Sequence, residues 1–241
     1  MVFQPTTTEH ENGVSSLAGS IAVELKIPLI QIARQIELAQ LECKPVEETL
    51  LRLDEIATDA LKLMDSYSLG LELGQSQQLL ELEPLSVPAV LYDAAQDLTP
   101  IAKRYGVTID LQATSGTRHR LVMANRSGLR AVLLNLGSVF VESSSIGSAV
   151  ITLAARKTEK GIAVGVYSPS ANISPADLML ACRLSGRVRQ PLSKFSTGSA
   201  MGIYAANTIL QAMTANLKTS RFKRQSGLGV VLSSSRQLQL V

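Results

Sequence analysis

The chain has 241 residues, of which 46% are hydrophobic and 18% charged, and its formal net charge is +3. This length allows one large or two small domains with a substantial core, and the composition is typical of globular proteins. Apolar runs are too short to span a bilayer and the N-terminus lacks a signal pattern, which predicts a cytoplasmic protein. Cys43 and Cys182 match no metal or redox spacing, so we expect two reduced structural thiols.

Charge is divided unevenly along the chain. Residues 1–74 contain 12 acidic and 5 basic residues, a net charge of −7, whereas residues 75–241 contain 8 acidic and 18 basic residues, a net charge of +10. Such a division indicates either a polyanionic partner or two parts of one protein that attract each other. Aromatic residues are few and do not alternate with the basic ones, which disfavours a nucleic-acid surface. A nucleic-acid-associated regulator remains one alternative.

The first third of the chain predicts helices. Residues 1–13 are polar and predict a flexible tail. Two runs of apolar residues at heptad spacing follow, separated by the CKP segment at 43–45, in which proline disfavours a continuous helix. The first run contains Val14, Ala18, Ile21, Leu25, Pro28, Ile32 and Ala39, and the second contains Val46, Leu50, Leu53, Ala57, Ala60, Met64, Tyr67 and Leu71. Gly74 predicts the end of the second helix.

Residues 14–74 therefore predict an antiparallel helical hairpin. Each helix also carries apolar residues outside the heptad seam, namely Leu29, Ile36, Leu61 and Leu69. A single hairpin cannot bury these residues, so we expect two copies to form a four-helix bundle, a homodimer. The alternative is a monomeric hairpin that packs on its own C-terminal domain.

Residues 75–241 predict a second domain of mixed structure. Short β-branched segments, among them VTIDLQA, SAVITLAAR, GIAVGVYS and GLGVVLSSS, alternate with helical segments at about 88–105, 127–141, 173–185 and 198–213. A hairpin turn is expected near residues 159–161. Strands and helices in separate blocks predict a two-layer α/β sandwich with helices on one face of the sheet.

Four short segments occur in a particular order: VELKIPL at 23–29, LRAVLLNLGSV at 129–139, SPSANI at 168–173 and GSAMGI at 198–203. Together with the hairpin and the sandwich, they resemble the boxes of the catalytic core of bacterial sensor histidine kinases. The resemblance covers about residues 14–234. It implies the ATPase-type sandwich of that family for residues 75–241.

The first segment is similar to the family's His-Glu-Leu-Arg-Thr-Pro-Leu box. The resemblance places Val23 at the phosphoacceptor position and Ile27 at the position that supports phosphatase activity, while Glu24 is retained. Neither hydrocarbon side chain carries a reactive or hydrogen-bonding atom. Pro28 matches the family's proline and predicts a bend in the first helix.

The second segment is similar to the family's asparagine box. The resemblance places Asn135 at the first asparagine, Val139 at the second, which holds Mg²⁺ on the ATP phosphates, and Glu142 at a basic position. The loss of an oxygen ligand and the gain of an acid both disfavour Mg-ATP.

The last two segments resemble the family's glycine boxes. Ser168 stands where the family has the adenine-reading aspartate, and Ser170 and Asn172 replace two glycines. Gly198 and Gly202 are retained, and the helix behind them could offer amides to an anion. Asn135, Gly198 and Gly202 are the candidates for a vestigial nucleotide site, but we expect no ATP or Mg²⁺ cofactor and no other metal.

Other chemistry has little support in the sequence. His10 and His119 are the only histidines. His10 lies in the polar tail and His119 in an expected loop, so neither predicts a displaced phosphoacceptor. No nucleophile–base pair or carboxylate cluster is evident. A nucleotide-binding phosphotransfer enzyme with a non-standard site remains the second alternative.

The substitutions create an apolar strip on the first helix. Val23, Ile27 and Ile30 recur at i, i+4 and i+7, with Glu24 beside them. An apolar strip with charged neighbours is typical of an interaction site, although the protein's own basic domain could cover it instead. The sequence thus predicts a catalytically inactive, pseudokinase-type protein that binds a response regulator or another signalling protein through Val23, Glu24, Ile27 and Ile30.

Overall fold

The architecture was obtained as a computed structural model. It describes residues 25–26, 28–41, 45–76, 78–117, 120–144, 149–171, 173–183 and 199–235. Over these ranges, no helix combines the length and the apolar character needed to cross a membrane. The predicted tail at 1–13, Cys43, His119 and the whole segment 184–198 lie outside the described residues.

Two helices form the N-terminal part. Residues 25–26 and 28–41 are helical and constitute α1, and α2 spans Val46–Ser76. The prediction that Gly74 ends the second helix is wrong, because α2 continues for two residues beyond it. Gly74 is exposed, and a Cβ there would meet only the ends of two side chains, with Thr208 Cγ2 and Tyr204 Oη each 3.2 Å away.

The remaining elements form the sandwich, whose helices and strands agree with the predicted segments. In chain order they are β1 (Glu83–Ser86), α3 (Val87–Arg104), β2 (Thr108–Ala113), a 3₁₀ turn (Ser115–Thr117), β3 (Leu121–Ala124), α4 (Arg126–Ser143), β4 (Val150–Thr158), β5 (Gly161–Ser168), α5 (Pro175–Arg183), α6 (Ser199–Ala212), β6 (Lys218–Phe222) and β7 (Gln225–Leu232). The short strand β3 was not predicted.

The main sheet has five strands in the order β2-β4-β5-β7-β6. β2 pairs with β4 in parallel, and the other neighbours are antiparallel. A separate antiparallel pair, β1-β3, lies beside it. Helices α3, α4 and α6 contribute most of their buried residues to one continuous core with β4, β5 and β7. The predicted α/β sandwich is therefore confirmed.

Helix α4 lies at the centre of this core. The Asn125 side chain caps it by accepting a hydrogen bond from the Gly128 amide at 2.9 Å. Thirteen of its residues are buried, so it is apolar on nearly all sides. A helix enclosed in this way has little freedom to move, and it positions every side chain of the candidate asparagine box.

Candidate functional site

Asn135 is held away from solvent by the helical hairpin. Its side chain is fully buried, and its Oδ1 accepts a hydrogen bond from the Ser66 hydroxyl of α2, whose single proton is shared with the Leu63 carbonyl oxygen at 2.8 Å. The Asn135 Nδ2 atom is buried without a hydrogen-bond partner among the described residues. The side-chain oxygen that could serve a ligand is therefore engaged by another part of the same chain.

Val139, one turn further along α4, packs directly against α6. Val139 is 2% exposed, and its Cγ2 lies only 2.7 Å from the position that a Cβ on Gly202 would occupy. The same Cβ position lies 3.1 Å from the Asn135 carbonyl oxygen. The structure thus brings together Asn135, Val139 and Gly202. It does so through a dry helix–helix contact in which glycine permits close approach.

The end of β5 carries two hydroxyls at the candidate adenine position. Ser168 is buried, and its Oγ lies 2.9 Å from the Ser170 Oγ. A hydroxyl pair is neutral and can donate or accept, unlike a carboxylate, which only accepts. Asn172 and Gly198 lie outside the described residues.

A second buried stripe on α2 was missed at the level of sequence. Asp59, Ser66, Gly70 and Leu73 are all buried, and their spacing of seven, four and three places them on one face. This face packs on the sandwich: a Cβ on Gly70 would lie 2.8 Å from both Cα and Cβ of Ala205 in α6. Aspartate, serine and glycine inside an apolar helix were the available signal, because such residues at one face indicate a packed, hydrogen-bonded contact rather than an exposed surface.

Two ion-pair groups connect this stripe of α2 to α3 and α4. Arg104 donates to Asp59 Oδ2 at 2.8 Å, and the Asp59 side chain is nearly fully buried. Asp97 is bound on both sides, with Lys62 Nζ 3.2 Å from its Oδ1 and Arg130 Nε 2.6 Å from its Oδ2. Helices α2 and α3 each supply an acid and a base, and α4 supplies the base Arg130.

The pKa of Asp97 reflects these partners. Burial alone would raise the pKa of this carboxyl, but the hydrogen bonds from Arg130 and Lys62, together with their charges, outweigh burial and hold it below its ordinary value. Asp97 therefore remains ionised in the interface under ordinary conditions. The two ion pairs of Asp97, with Lys62 and with Arg130, link α2 to α4 through one carboxylate on α3.

Glu142 lies near the end of α4, in a crevice between the hairpin and the sandwich. The crevice is lined by residues of α1, α2, α3 and α4, namely Leu25, Pro28, Gln31, Ile56, Ala60, Leu63, Met64, Tyr67, Ile101, Arg104, Tyr105 and Glu142. Burial raises the pKa of Glu142 to about 7. Its carboxyl group thus changes charge near neutral pH, within a mostly apolar contact.

The predicted interaction strip is described only at its end. Ile30 is 61% exposed, and its neighbour Leu29 is 60% exposed. The sandwich therefore does not cover Ile30, although Leu25 and Pro28 on the same helix do line the crevice with α3 and α4. Val23, Glu24 and Ile27 lie outside the described residues, and their predicted role stays a prediction.

Metal-binding chemistry finds no support in the described part of the chain, where no group of three or more His, Cys, Asp and Glu residues is placed to hold an ion. Cys182 is a free thiol, and burial raises its pKa to about 11. A thiol with so high a pKa is protonated and poorly nucleophilic, as a structural role requires.

The order of elements, the five-stranded mixed sheet and the helical hairpin define a class of fold. The chain has the fold of histidine kinase catalytic cores, a helical part followed by an ATPase-type α/β sandwich. No protein-family profile and no curated protein sequence matches the chain. The assignment therefore comes from comparison of structures.

Three solved structures illustrate the likeness. Histidine kinase AdeS from Acinetobacter baumannii is 16% identical with a TM-score of 0.51, over 87% of this chain and 96% of that one. Full-length ShkA in complex with AMPPNP gives 16% identity and a TM-score of 0.53 over 91% of this chain, which matches 47% of ShkA. A bacterial phosphotransferase gives 9% identity and a TM-score of 0.52, over 95% and 98% of the two chains. At these identities, the likeness concerns the fold alone.

Proposed function

We propose that this protein is a catalytically inactive relative of sensor histidine kinases that acts as a dimeric binding module in two-component signalling. The observation that carries the proposal is the engagement of Asn135. The side-chain oxygen that would face a metal-bound nucleotide is fully buried and accepts a hydrogen bond from Ser66 of the protein's own hairpin. An enzyme that used this oxygen would have to separate α2 from α4 in every cycle.

The residues at hand do not fit Mg-ATP. Mg²⁺ requires oxygen ligands in near-octahedral geometry, but Val139 supplies only methyl groups and is packed against α6 at Gly202. Ser168 and Ser170 offer a neutral hydroxyl pair where the resemblance implies a carboxylate. We therefore derive no phosphoryl-transfer step for this chain.

Dimerisation would occur through the hairpin at 14–74. One face of α2 packs on the sandwich, yet large apolar side chains elsewhere on the two helices remain open to solvent. They are Leu29 at 60%, Ile36 at 41%, Val46 at 74%, Leu50 at 58%, Leu51 at 67% and Leu61 at 64% exposure. Burial of a leucine side chain is worth about 1.5–3 kcal/mol, so a second hairpin that covers several of them is favoured.

The binding face of the module would be the strip of Val23, Glu24, Ile27 and Ile30. The exposure of Ile30 supports this assignment, because 61% of its surface is free of the sandwich. The partner would be a response regulator or another signalling protein. Its affinity should fall in the variant Ile30→Glu, whereas Leu180→Glu, which changes a leucine of α5 that is 51% exposed and lies outside the hairpin, should leave the affinity unchanged.

The inactivity is tested by incubating the full chain with Mg-ATP labelled in the γ-phosphate. We expect no incorporation, and also none in the variant Val23→His, because the nucleotide site is absent as well as the acceptor. Label that resists base and is lost in acid would identify a phosphohistidine and refute the proposal. Label of any other stability would establish the alternative, a phosphotransfer enzyme with a non-standard site.

A further inference from the structure

One edge of the main sheet has no strand partner among the described residues. β2 pairs only with β4, and the sheet order places it at one end. The Thr108 amide donates to the Ala149 carbonyl and the Thr114 amide to the Ala155 carbonyl, which shows that even-numbered residues face β4. The peptide groups of Ile109, Leu111 and Ala113 therefore point away from β4, towards the free edge.

Two walls flank this edge and turn it into a groove of about 540 Å³. On the helix side, the first turns of α3 contribute Pro88, Leu91 and Tyr92. On the opposite side, Phe222 and Lys223 belong to the end of β6 and its turn into β7. An extended chain that entered between the walls would lie alongside the unpaired edge of β2.

The second wall is held in place across the outer face of the sheet. Lys223 Nζ donates to Gln112 Oε1, and the Phe222 ring lies 5.5 Å from that of Tyr167, which is buried on this face. Gly227 and Gly229 of β7 make room for Tyr167, since Cβ atoms there would lie 2.8 Å from its Cδ1 and 3.2 Å from its Oη. Side-chain packing and a hydrogen bond therefore hold the wall of Phe222 and Lys223 against the sheet.

The chemistry of the groove favours one kind of occupant. Tyr92 is 57% exposed and Leu111 is 41% exposed, so its floor offers apolar contacts for alternate side chains. Lys223 and the adjacent Arg224 form no ion pair within the described part of the chain. The one acid of β2, Asp110, keeps its negative charge while it accepts a hydrogen bond from Gln112 at 2.6 Å, and it offsets only one of these two positive charges. The wall is thus positively charged, and an acidic chain is the complementary partner.

We propose that the groove beside β2 binds an extended acidic peptide segment of a partner protein, which adds to the sheet as a sixth strand. Main-chain hydrogen bonds to Leu111 would give affinity, and alternate side chains would give specificity. None of the residues that line the groove takes part in the Ser66–Asn135 contact. The proposal therefore does not depend on the absence of phosphotransfer.

The test is a fluorescence-anisotropy titration of the full chain with a short labelled peptide of alternating glutamate and valine. Binding of this probe, and none of a lysine–valine peptide, is expected. Leu111→Pro removes an edge amide that the sheet does not use, so folding should persist and affinity should fall about 10-fold, the worth of one hydrogen bond. Leu111→Ala retains the amide, so its affinity for the peptide should fall clearly less.

Two further controls address charge and folding. Lys223 has φ 52°, a left-handed value that asparagine tolerates, so Lys223→Asn removes the charge without straining the turn. It should weaken the probe about 2–5-fold, whereas Lys218→Asn, at the far end of β6, should not. A glutamate–valine probe methylated on alternate amides should fail to bind the unaltered protein, which tests strand addition without any variant.

Several results would overturn the proposal. They are absence of binding to the unaltered protein, equal affinity for Leu111→Pro and Leu111→Ala, or equal binding of the lysine–valine peptide. A dimer in sedimentation that Leu111→Pro alone dissociates would assign the edge to a second copy of the chain. Displacement of the probe by duplex DNA would assign the basic wall to nucleic acid.

Discussion

The Ser66 hydroxyl donates a hydrogen bond to Asn135 Oδ1, joining residues 69 positions apart across the contact between α2 and α4. Both residues are buried, and the Asn135 Nδ2 atom is without a partner among the described residues. Loss of the one hydrogen bond of a buried amide costs free energy, because its polar atoms cannot form a replacement hydrogen bond with water. This contact therefore contributes to the attachment of the hairpin to the sandwich.

Replacement of Ser66 should destabilise the protein. Ser66→Ala leaves the Asn135 amide without any partner, and we expect a loss of about 1–3 kcal/mol in the free energy of unfolding. Ser68 lies two residues away on the exposed side of α2. Ser68→Ala should change that free energy by less than about 0.5 kcal/mol in the same urea titrations. Equal effects of the two variants would show that the Ser66–Asn135 hydrogen bond does not stabilise the protein.

The two glycines of α2 should respond differently to alanine. A Cβ on Gly70 would meet the backbone and Cβ of Ala205 at 2.8 Å, whereas a Cβ on Gly74 would meet only side-chain ends at 3.2 Å. Gly70→Ala should therefore cost about 1–3 kcal/mol through overpacking. Gly74→Ala should be neutral or stabilising by up to about 1 kcal/mol, because alanine favours helix. Thermal unfolding of both variants checks the prediction, and a stabilising Gly70→Ala would show that α2 does not approach α6 so closely.

Glu142 should make stability depend on pH near neutrality. Burial raises its pKa from 4.5 to about 7, so the folded state holds this proton more tightly than the unfolded state. The cost of burying the charged form is absent below the unfolded pKa, grows between the two values and is complete above the folded one. Glu142→Gln, which carries no charge, should therefore be the more stable protein by up to roughly 3 kcal/mol at about pH 8, with little difference at about pH 4.

The matched control for this measurement is Glu159→Gln, an exposed residue in the turn between β4 and β5. Its stability should follow that of the unaltered protein at every pH. Arg104 and Tyr105 line the same crevice as Glu142, and Arg104 is engaged by Asp59. A pH profile of Glu142→Gln that is parallel to that of the parent would contradict the burial of this carboxyl.

Sequence reasoning was sufficient where local signals agreed. The helical pattern of residues 127–141 predicted α4, and two β-branched runs around a Glu-Lys-Gly turn predicted β4 and β5. The strand β3, only four residues long, has too few residues to show a period, and it forms through pairing with β1, far away in the chain. The prediction that Gly74 ends α2 was wrong because a glycine that ends a helix and an exposed glycine within its last turns look alike in sequence.

The candidate site was predictable in part. The resemblance identified Asn135, Val139 and Gly202, and the structure brings these residues together. The partner of Asn135 could not be predicted, because Ser66 belongs to another helix and one serine on α2 resembles any other. The same holds for Asp59 and Asp97, whose role depends on Arg104, Lys62 and Arg130 across the contact.

The central claim is that this chain retains a kinase fold without a nucleotide site, and calorimetric titration of the full chain with Mg-ATP tests it most directly. The proposal predicts no heat of binding at millimolar nucleotide, for the unaltered protein and for Ser66→Ala alike. Saturable binding by the unaltered protein, abolished by removal of Mg²⁺, would contradict the proposal.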